Sequence, residues 1–517
     1  MRSISYFLVV TITAVSALTS PASTQISATL DIHNDHPGPT YNRRLFGQFA
    51  EHLGSGIYGG IWVGPDSKTP NIRGYRTDVL EALKAIKVPV IRWPGGCFAD
   101  EYHWREGIGP RPQRKIKINT HWGYVTENNA FGTHEFMDYS EMVGADAYVS
   151  GNVGSAPPYE MAEWVEYMTS PAGSSLAKER GQNGRQQPWK VAMFGLGNEL
   201  WGCGGQMKPD YAADLTRRYS TFVKVPKGVP LDKIASGSSE NDYNWTETMM
   251  REAGKAFDGI GVHYYTVPGS WQTKGSATHF DEVEYARTLA KSIKIDEYLT
   301  GHSKIMDKYD PKQRVALLLD EWGTWYDVEP GTNPGFLYQQ NTVRDALVAA
   351  LTLNIFAQHA DRVRGANIAQ MVNVLQAMLL TKDDKMVRTP TYYVFDLYKE
   401  YQDATVLPVD LRAPWYSRDQ WALPSVSASA VRDQAGVVHL ALVNVDPHQT
   451  ATVTGHLASA AGNSVTGRVL TAERSDSFND FGTAEAVKPA AFTSANLSGQ
   501  QLTATLPPHS VVMLDLR

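Results

Sequence analysis

From residue 43 to about residue 400 the chain repeats one pattern eight times, a short β-rich run followed by a stretch with apolar residues three and four apart. The β-rich runs are RRLFGQFAEHLG (43–54), VPVIRWPGG (88–96), DAYVSGNVG (146–154), KVAMFGLGNE (190–199), DKIASGSSE (232–240), GIGVHYYT (259–266), RVALLLDEWG (314–323) and ANIAQMVNV (366–374). Helical spacing appears between them in RTDVLEALKAIK (76–87), HEFMDYSEMVG (134–144) and NTVRDALVAALTLNIFAQHADRV (341–363). Parallel strands need crossover helices, and closing the sheet removes its exposed edges. Eight such units therefore predict a (β/α)8 TIM barrel over residues 41–404. A doubly wound open sheet is the rival, but FGQFAEHLG lacks the G-x-G-x-x-G spacing of a phosphate-binding turn.

After about residue 405 the texture changes to polar–apolar alternation broken by Gly, Asp and Pro, as in VSASAVRDQAGVVHLALVNVDPHQTATVTGHL. Alternation of period two predicts a C-terminal antiparallel β-sandwich, jelly-roll-like, over 405–517. QISATLDIHND (25–35) has the same texture, and the segment 25–40 is expected to lend that sandwich a strand. The fold class is thus α/β, a barrel with an accessory β-module.

At the N-terminus Arg2 precedes an apolar run from Ile4 to Leu18 and the small residues Ser20 and Ala22. This predicts a signal peptide over 1–22 and a secreted or periplasmic protein. An uncleaved anchor is the alternative, although the run is short for a bilayer. A net charge of -6 without a long basic run excludes nucleic acid as a natural partner. A neutral substrate fits better, with no membrane association after signal removal.

In such barrels the catalytic groups gather at the carboxyl ends of the strands. Here those ends carry Glu51, Arg92, Asn198, Glu199, His263, Tyr265, Glu321 and Gln370. Two carboxylates flanking one bond are the minimum equipment for glycoside hydrolysis, and Glu199 and Glu321 close the fourth and seventh runs. A nucleophile must stay ionised, and Arg92 and Tyr265 are placed to keep Glu321 charged. An acid must stay protonated, which burial against Trp201 favours for Glu199. Successive strand residues face opposite ways, so Asp320 is expected to point away from the mouth. Trp122, Trp201, Trp322 and Trp325 offer flat apolar faces for a sugar ring, while Asn198, Glu51 and Gln370 offer hydrogen bonds. His263 has no partner at metal-ligand spacing, so neither a catalytic metal nor a cofactor is expected. Cys97 and Cys203 are the only cysteines. Whether they pair depends on a Cα separation below roughly 7 Å, which the sequence leaves open.

The segments FGQFAEHLGSGIYGGIW, VIRWPGGCFADEYHWREGIGP, GLGNELWG, HYYT, LDEWGTWY and ANIAQMVNV resemble, in order and spacing, the α-L-arabinofuranosidases of glycoside hydrolase family 51. The resemblance covers the whole barrel. It implies a retaining exo-hydrolase of terminal α-L-arabinofuranosyl groups on arabinan, arabinoxylan or their oligosaccharides. Glu199 then falls on the acid/base and Glu321 on the nucleophile. Glu51, Asn198, Tyr265 and Gln370 fall on sugar contacts, Arg92 on the nucleophile's partner, and Trp122 and Trp325 on aromatic walls. The resemblance also implies a homo-oligomer, a trimer or hexamer. Cys97 stands where many members carry a sugar-contacting Asn, and a thiol is the poorer hydrogen-bonding group. Two other readings use the same residues: a β-xylosidase or endo-β-glucanase on the same frame, and a carbohydrate-binding protein without catalysis.

Overall fold

Eight parallel strands close into a barrel in chain order: Gly47–Phe49, Val90–Trp93, Asp146–Gly151, Val191–Leu196, Asp232–Ala235, Gly259–Thr266, Ala316–Thr324 and Val363–Ile368. The structure, a computed structural model, describes residues 25–171, 173–460, 462, 464–482 and 485–517. The segment 1–22, read as a signal peptide, lies outside the described residues. Among them, no helix is long and apolar enough to cross a membrane.

The first strand is shorter than its sequence run. Residues Arg43–Phe46 form a 3-10 turn instead, started by the Asn42 side chain, which accepts from the Arg44 N–H. Helices Thr77–Ala85 and Thr133–Val143 occupy the expected spans. Helix Val343–Gln358 is buried on nearly every face because it is wedged between the barrel and the sandwich. There Asn354 donates to Ser427 Oγ at 3.0 Å and accepts from the hydroxyls of Ser429 and Tyr398 at 2.6 and 2.9 Å. A helix surrounded by protein needs partners for its buried amide, and two sandwich serines and the Tyr398 hydroxyl of helix Pro390–Tyr398 supply them.

The sandwich has a five-stranded and a six-stranded sheet. Strand Ile26–Ile32 alternates buried and exposed residues, and its Ile26, Ala28, Leu30 and Ile32 join Leu440, Leu442 and Leu514 in one core. It pairs antiparallel with Val409–Arg412 but parallel with Ala451–Leu457, the one parallel pair in the two sheets among the described residues.

Inside the barrel, Val90, Tyr148, Met193, Ile234 and Leu318 form an apolar floor. Side chains from successive strands fill such a barrel in layers, so the next layer up begins the polar mouth. The seventh strand breaks its own alternation at that level. Gly261 pairs with Leu318 and His263 with Glu321, while Leu319 pairs with Ala366 and Trp322 with Ile368. Three steps on the seventh strand thus match two on each neighbour, which is a β-bulge. Asp320 and Glu321 consequently both face inward, contrary to the expectation for Asp320.

Candidate active site

Glu321, at the end of the seventh strand, is buried and doubly held. Arg92 Nη1 donates to its Oε1 at 2.8 Å and the Tyr265 hydroxyl to its Oε2 at 2.9 Å. Arg92 also donates to the Asp320 carbonyl at 2.9 Å and to Asn198 Oδ1 at 2.6 Å, so one guanidinium orders residues of two strands. Gly96 leaves the room this needs. A Cβ there would stand 2.6 Å from Glu321 Oε1, closer than any side chain allows.

Glu199 follows the fourth strand on a tight turn. Gly197 has φ +83° and Glu199 itself φ +41°, a region that costs a non-glycine residue energy and is found where surrounding contacts enforce it. Those contacts are visible. The Glu199 carbonyl accepts from the N–H groups of Gly202 at 2.7 Å and Gly204 at 3.1 Å, and the Asn198 N–H donates to Asp100 Oδ2 at 2.9 Å. Asp100 also accepts from Val153 and Gly154 at 2.8 and 2.7 Å, tying together the loops after the second, third and fourth strands. Burial raises its pKa to about 7 against the pull of those three N–H groups.

His263 stands between the carboxylates. Its Nδ1 donates to Glu199 Oε1 at 2.8 Å and lies 3.5 Å from Glu321 Oε2, while Nε2 lies 3.3 Å from Asp320 Oδ1. Burial works against its charge, but Glu321, Asp320 and Glu199 outweigh that and push it up to about 10. The surrounding carboxylates therefore favour the imidazolium form of the ring. The pKa of Glu199 is raised, chiefly by lost hydration and further by the charge of Glu321, with His263 opposing. One oxygen each of Glu199 and Glu321 lies, with a His263 nitrogen, inside a 4.8 Å set.

Glu51 closes the third side. Its Oε1 accepts from Gly96 N at 3.0 Å, Phe98 N at 3.1 Å and Trp122 Nε1 at 2.9 Å, and its Oε2 from Gln370 Nε2 at 2.9 Å. Burial and then the charge of Glu321 raise it to about 7 despite these donors. Gln370 Oε1 is buried without a partner among the described residues, an acceptor aimed at nothing the protein supplies. Trp325 packs edge-on against Tyr265 at 5.0 Å and against the exposed Trp271 at 5.4 Å, an aromatic row running outward from Glu321.

Two expected aromatics lie elsewhere. Trp322, the residue after the bulge, points outward into the core against Phe356 and Phe395. Trp201 donates to the Gly237 carbonyl at 3.1 Å and is half-buried at the loop after the fourth strand. Cys97 is not a thiol here: it is bonded to Cys203, with Cα atoms 5.5 Å apart, and has no S–H to offer a sugar. Asp100, Asp320, Gly96 and Trp271 were not singled out by sequence as site residues. Asp100 lies inside the quoted PGGCFADEYHW stretch but beyond the strand end, where strand-end reasoning does not look.

A closed (β/α)8 barrel with paired carboxylates at the ends of its fourth and seventh strands defines a glycoside hydrolase of the retaining barrel type. Residues 82–285 match the family profile described as alpha-L-arabinofuranosidase 1 domain, and residues 320–510 that of the alpha-L-arabinofuranosidase C-terminal domain. A Bacteroides ovatus protein named intracellular exo-alpha-L-arabinofuranosidase is 51% identical over 98% of both chains. A family 51 arabinofuranosidase structure from Xanthomonas axonopodis pv. citri superposes with TM-score 0.94 at 56% identity, covering 95% of this chain and 100% of that one. An arabinose complex of the Thermotoga maritima α-L-arabinofuranosidase superposes with TM-score 0.83 at 28% identity, over 95% and 99% of the two chains. The chain belongs to the α-L-arabinofuranosidases of glycoside hydrolase family 51, retaining exo-acting enzymes. The expectation of a secreted or periplasmic protein is corrected by the Bacteroides relative, matched over 98% of each chain and named intracellular.

Proposed function

We propose that the chain releases terminal α-L-arabinofuranosyl groups from arabinan, arabinoxylan or their oligosaccharides, with Glu321 as nucleophile and Glu199 as acid/base. The observation that carries this is the unlike bonding of two neighbouring carboxylates. Glu321 receives a guanidinium and a phenol, which favour a charged nucleophile. Among the described residues Glu199 accepts from no guanidinium, and burial raises its pKa, the direction an acid requires.

In the first step a Glu321 oxygen bonds to the anomeric carbon, the bond from that carbon to the leaving oxygen breaks, and the Glu199 proton passes to that oxygen. In the second step Glu199 takes a proton from water, the water oxygen bonds to the anomeric carbon, and Glu321 leaves as carboxylate. Two displacements on one carbon return the original configuration, and one oxygen of each carboxylate within 4.8 Å of the other fits the close spacing of a retaining pair.

Glu51, Asn198 and Gln370 bind the arabinose hydroxyls in this reading, and Trp122 and Trp325 line its apolar face. The unpartnered Gln370 Oε1 is then filled by a sugar O–H. A homotrimer or hexamer is the proposed assembly, which light scattering of the purified chain tests. Activity is tested with para-nitrophenyl glycosides of α-L-arabinofuranose, β-D-xylose and β-D-glucose. Release from the first is expected, and release from another without the first would overturn the reading.

A further inference from the structure

The Cys97–Cys203 bond joins the loops after the second and fourth strands. Neither sulfur has a part in the double displacement, yet Cys203 Sγ lies 3.5 Å from Glu199 Oε2. One ligand atom from each of Cys97, Cys203 and Glu199 lies within 4.8 Å of the other two, and all three residues are partly buried. The other oxygen of Glu199 is fixed by His263 Nδ1 at 2.8 Å, so the carboxylate is already oriented with Oε2 toward the sulfurs.

We propose that reduction of this disulfide creates a binding site for a thiophilic divalent cation of the zinc class, with Cys97 and Cys203 as thiolate ligands and Glu199 as the carboxylate ligand. The binding set stands on geometry alone; only its effect on turnover rests on the reading of Glu199 as acid/base.

The chemistry balances with a dithiol reductant. It transfers two electrons and two protons to the S–S bond, leaving two thiols and becoming a disulfide itself. The cation then replaces the two thiol protons, which are released to solvent. Tetrahedral zinc with bonds to sulfur of about 2.3 Å holds two sulfurs roughly 3.8 Å apart. Side-chain rotation reaches that spacing from Cα atoms 5.5 Å apart without moving either loop. Two thiolates and one carboxylate select zinc, cadmium or mercury over magnesium and calcium, which require a cage of oxygens. The hydrogen bond from His263 to the far oxygen of Glu199 is the outer contact that orients a ligating carboxylate. Once Oε2 is coordinated, Glu199 can neither hold nor deliver its proton, so the metal-loaded enzyme is inactive. The oxidised enzyme has no thiolate to offer and is indifferent to the same cation.

The test titrates cadmium chloride and zinc chloride into the full chain, oxidised or reduced with a dithiol that is then removed anaerobically. The readouts are the ultraviolet thiolate-to-cadmium charge-transfer band and calorimetric zinc affinity. One equivalent is expected to bind to the reduced protein, with the band present, and none to the oxidised protein. Glu199→Gln, in the reduced state, should weaken zinc by about tenfold or more, as loss of a ligand or its support does. Activity of the reduced enzyme should fall at least tenfold with one equivalent of zinc and return with a chelator. Equal binding by both redox states, absence of the band, or unchanged affinity in Glu199→Gln each overturns the site. The redox comparison needs no substitution, so a misfolded variant cannot obscure it. Binding that meets all three criteria while turnover continues leaves the metal site standing and removes Glu199 from the acid/base role.

Discussion

His263 Nδ1 stands 2.8 Å from Glu199 Oε1, and its charge is sustained by the carboxylates around it. The imidazolium orients Glu199 and lowers its pKa, partly offsetting the rise caused by lost hydration and by Glu321. Removing that cation without removing the hydrogen bond isolates the electrostatic part. In His263→Gln the pKa of Glu199 should rise further. The first displacement requires Glu199 protonated, so the alkaline limb of the kcat/KM profile should move to higher pH, with kcat/KM down about 10- to 100-fold. A limb that stays in place would show that His263 does not act on the acid.

Asp320 is bonded to other side chains of the mouth, so its expected effect passes through those neighbours. It accepts from the Tyr148 hydroxyl at 2.9 Å and faces His263 Nε2 at 3.3 Å. Asp320→Asn should lower kcat by about tenfold through a less firmly held His263 while KM stays within about twofold, because the sugar contacts are untouched. A rise in KM with unchanged kcat would place Asp320 in ground-state binding instead.

Gly96→Ala brings a methyl to within 2.6 Å of Glu321 Oε1, an oxygen fixed by Arg92. The carboxylate must move. A misplacement of about 1 Å costs on the order of 100-fold in rate. Steady-state kinetics should show that loss with a near-native circular dichroism spectrum, and wild-type kcat would refute the packing argument.

The barrel was legible in the sequence because its signal is repeated eight times and each repeat ends in something polar. Glu199, Glu321, Arg92 and Tyr265 were legible for the same reason, since strand ends converge wherever a parallel barrel closes. Asp320 was misplaced by the bulge, which adds a residue between Leu319 and Trp322 and leaves no mark in the pattern of DEWG, whereas Trp322 points away from the mouth by ordinary alternation from the inward-facing Glu321. The disulfide depends on a distance between loops 106 residues apart in sequence, which no local pattern encodes. Asp100 is a carboxylate whose meaning comes from three backbone N–H groups on other loops.

Glu51 links the site to stability. Its pKa is about 7 in the folded protein against 4.5 as the ordinary value, so the folded state binds more protons between those values. Stability should therefore fall as pH rises from about 4.5 to about 7, by roughly 3 kcal/mol from this group, and level off above. Glu51→Gln cannot ionise, and Gln370 can turn its free Oε1 toward the new amide. Urea denaturation at a series of pH values should give a shallower slope for this variant; an equal slope would assign the dependence to other groups such as Asp100.

The roles of the two carboxylates are separated by the stereochemistry of azide rescue with an activated arabinofuranoside. Glu199→Ala retains the nucleophile, so azide attacks the glycosyl-enzyme and the product is the α-L-arabinofuranosyl azide. Glu321→Ala lacks it, so azide attacks the substrate directly and the product is the β-azide. Nuclear magnetic resonance of the products reads the configuration. An α-azide from Glu321→Ala, or a β-azide from Glu199→Ala, would contradict the assignment.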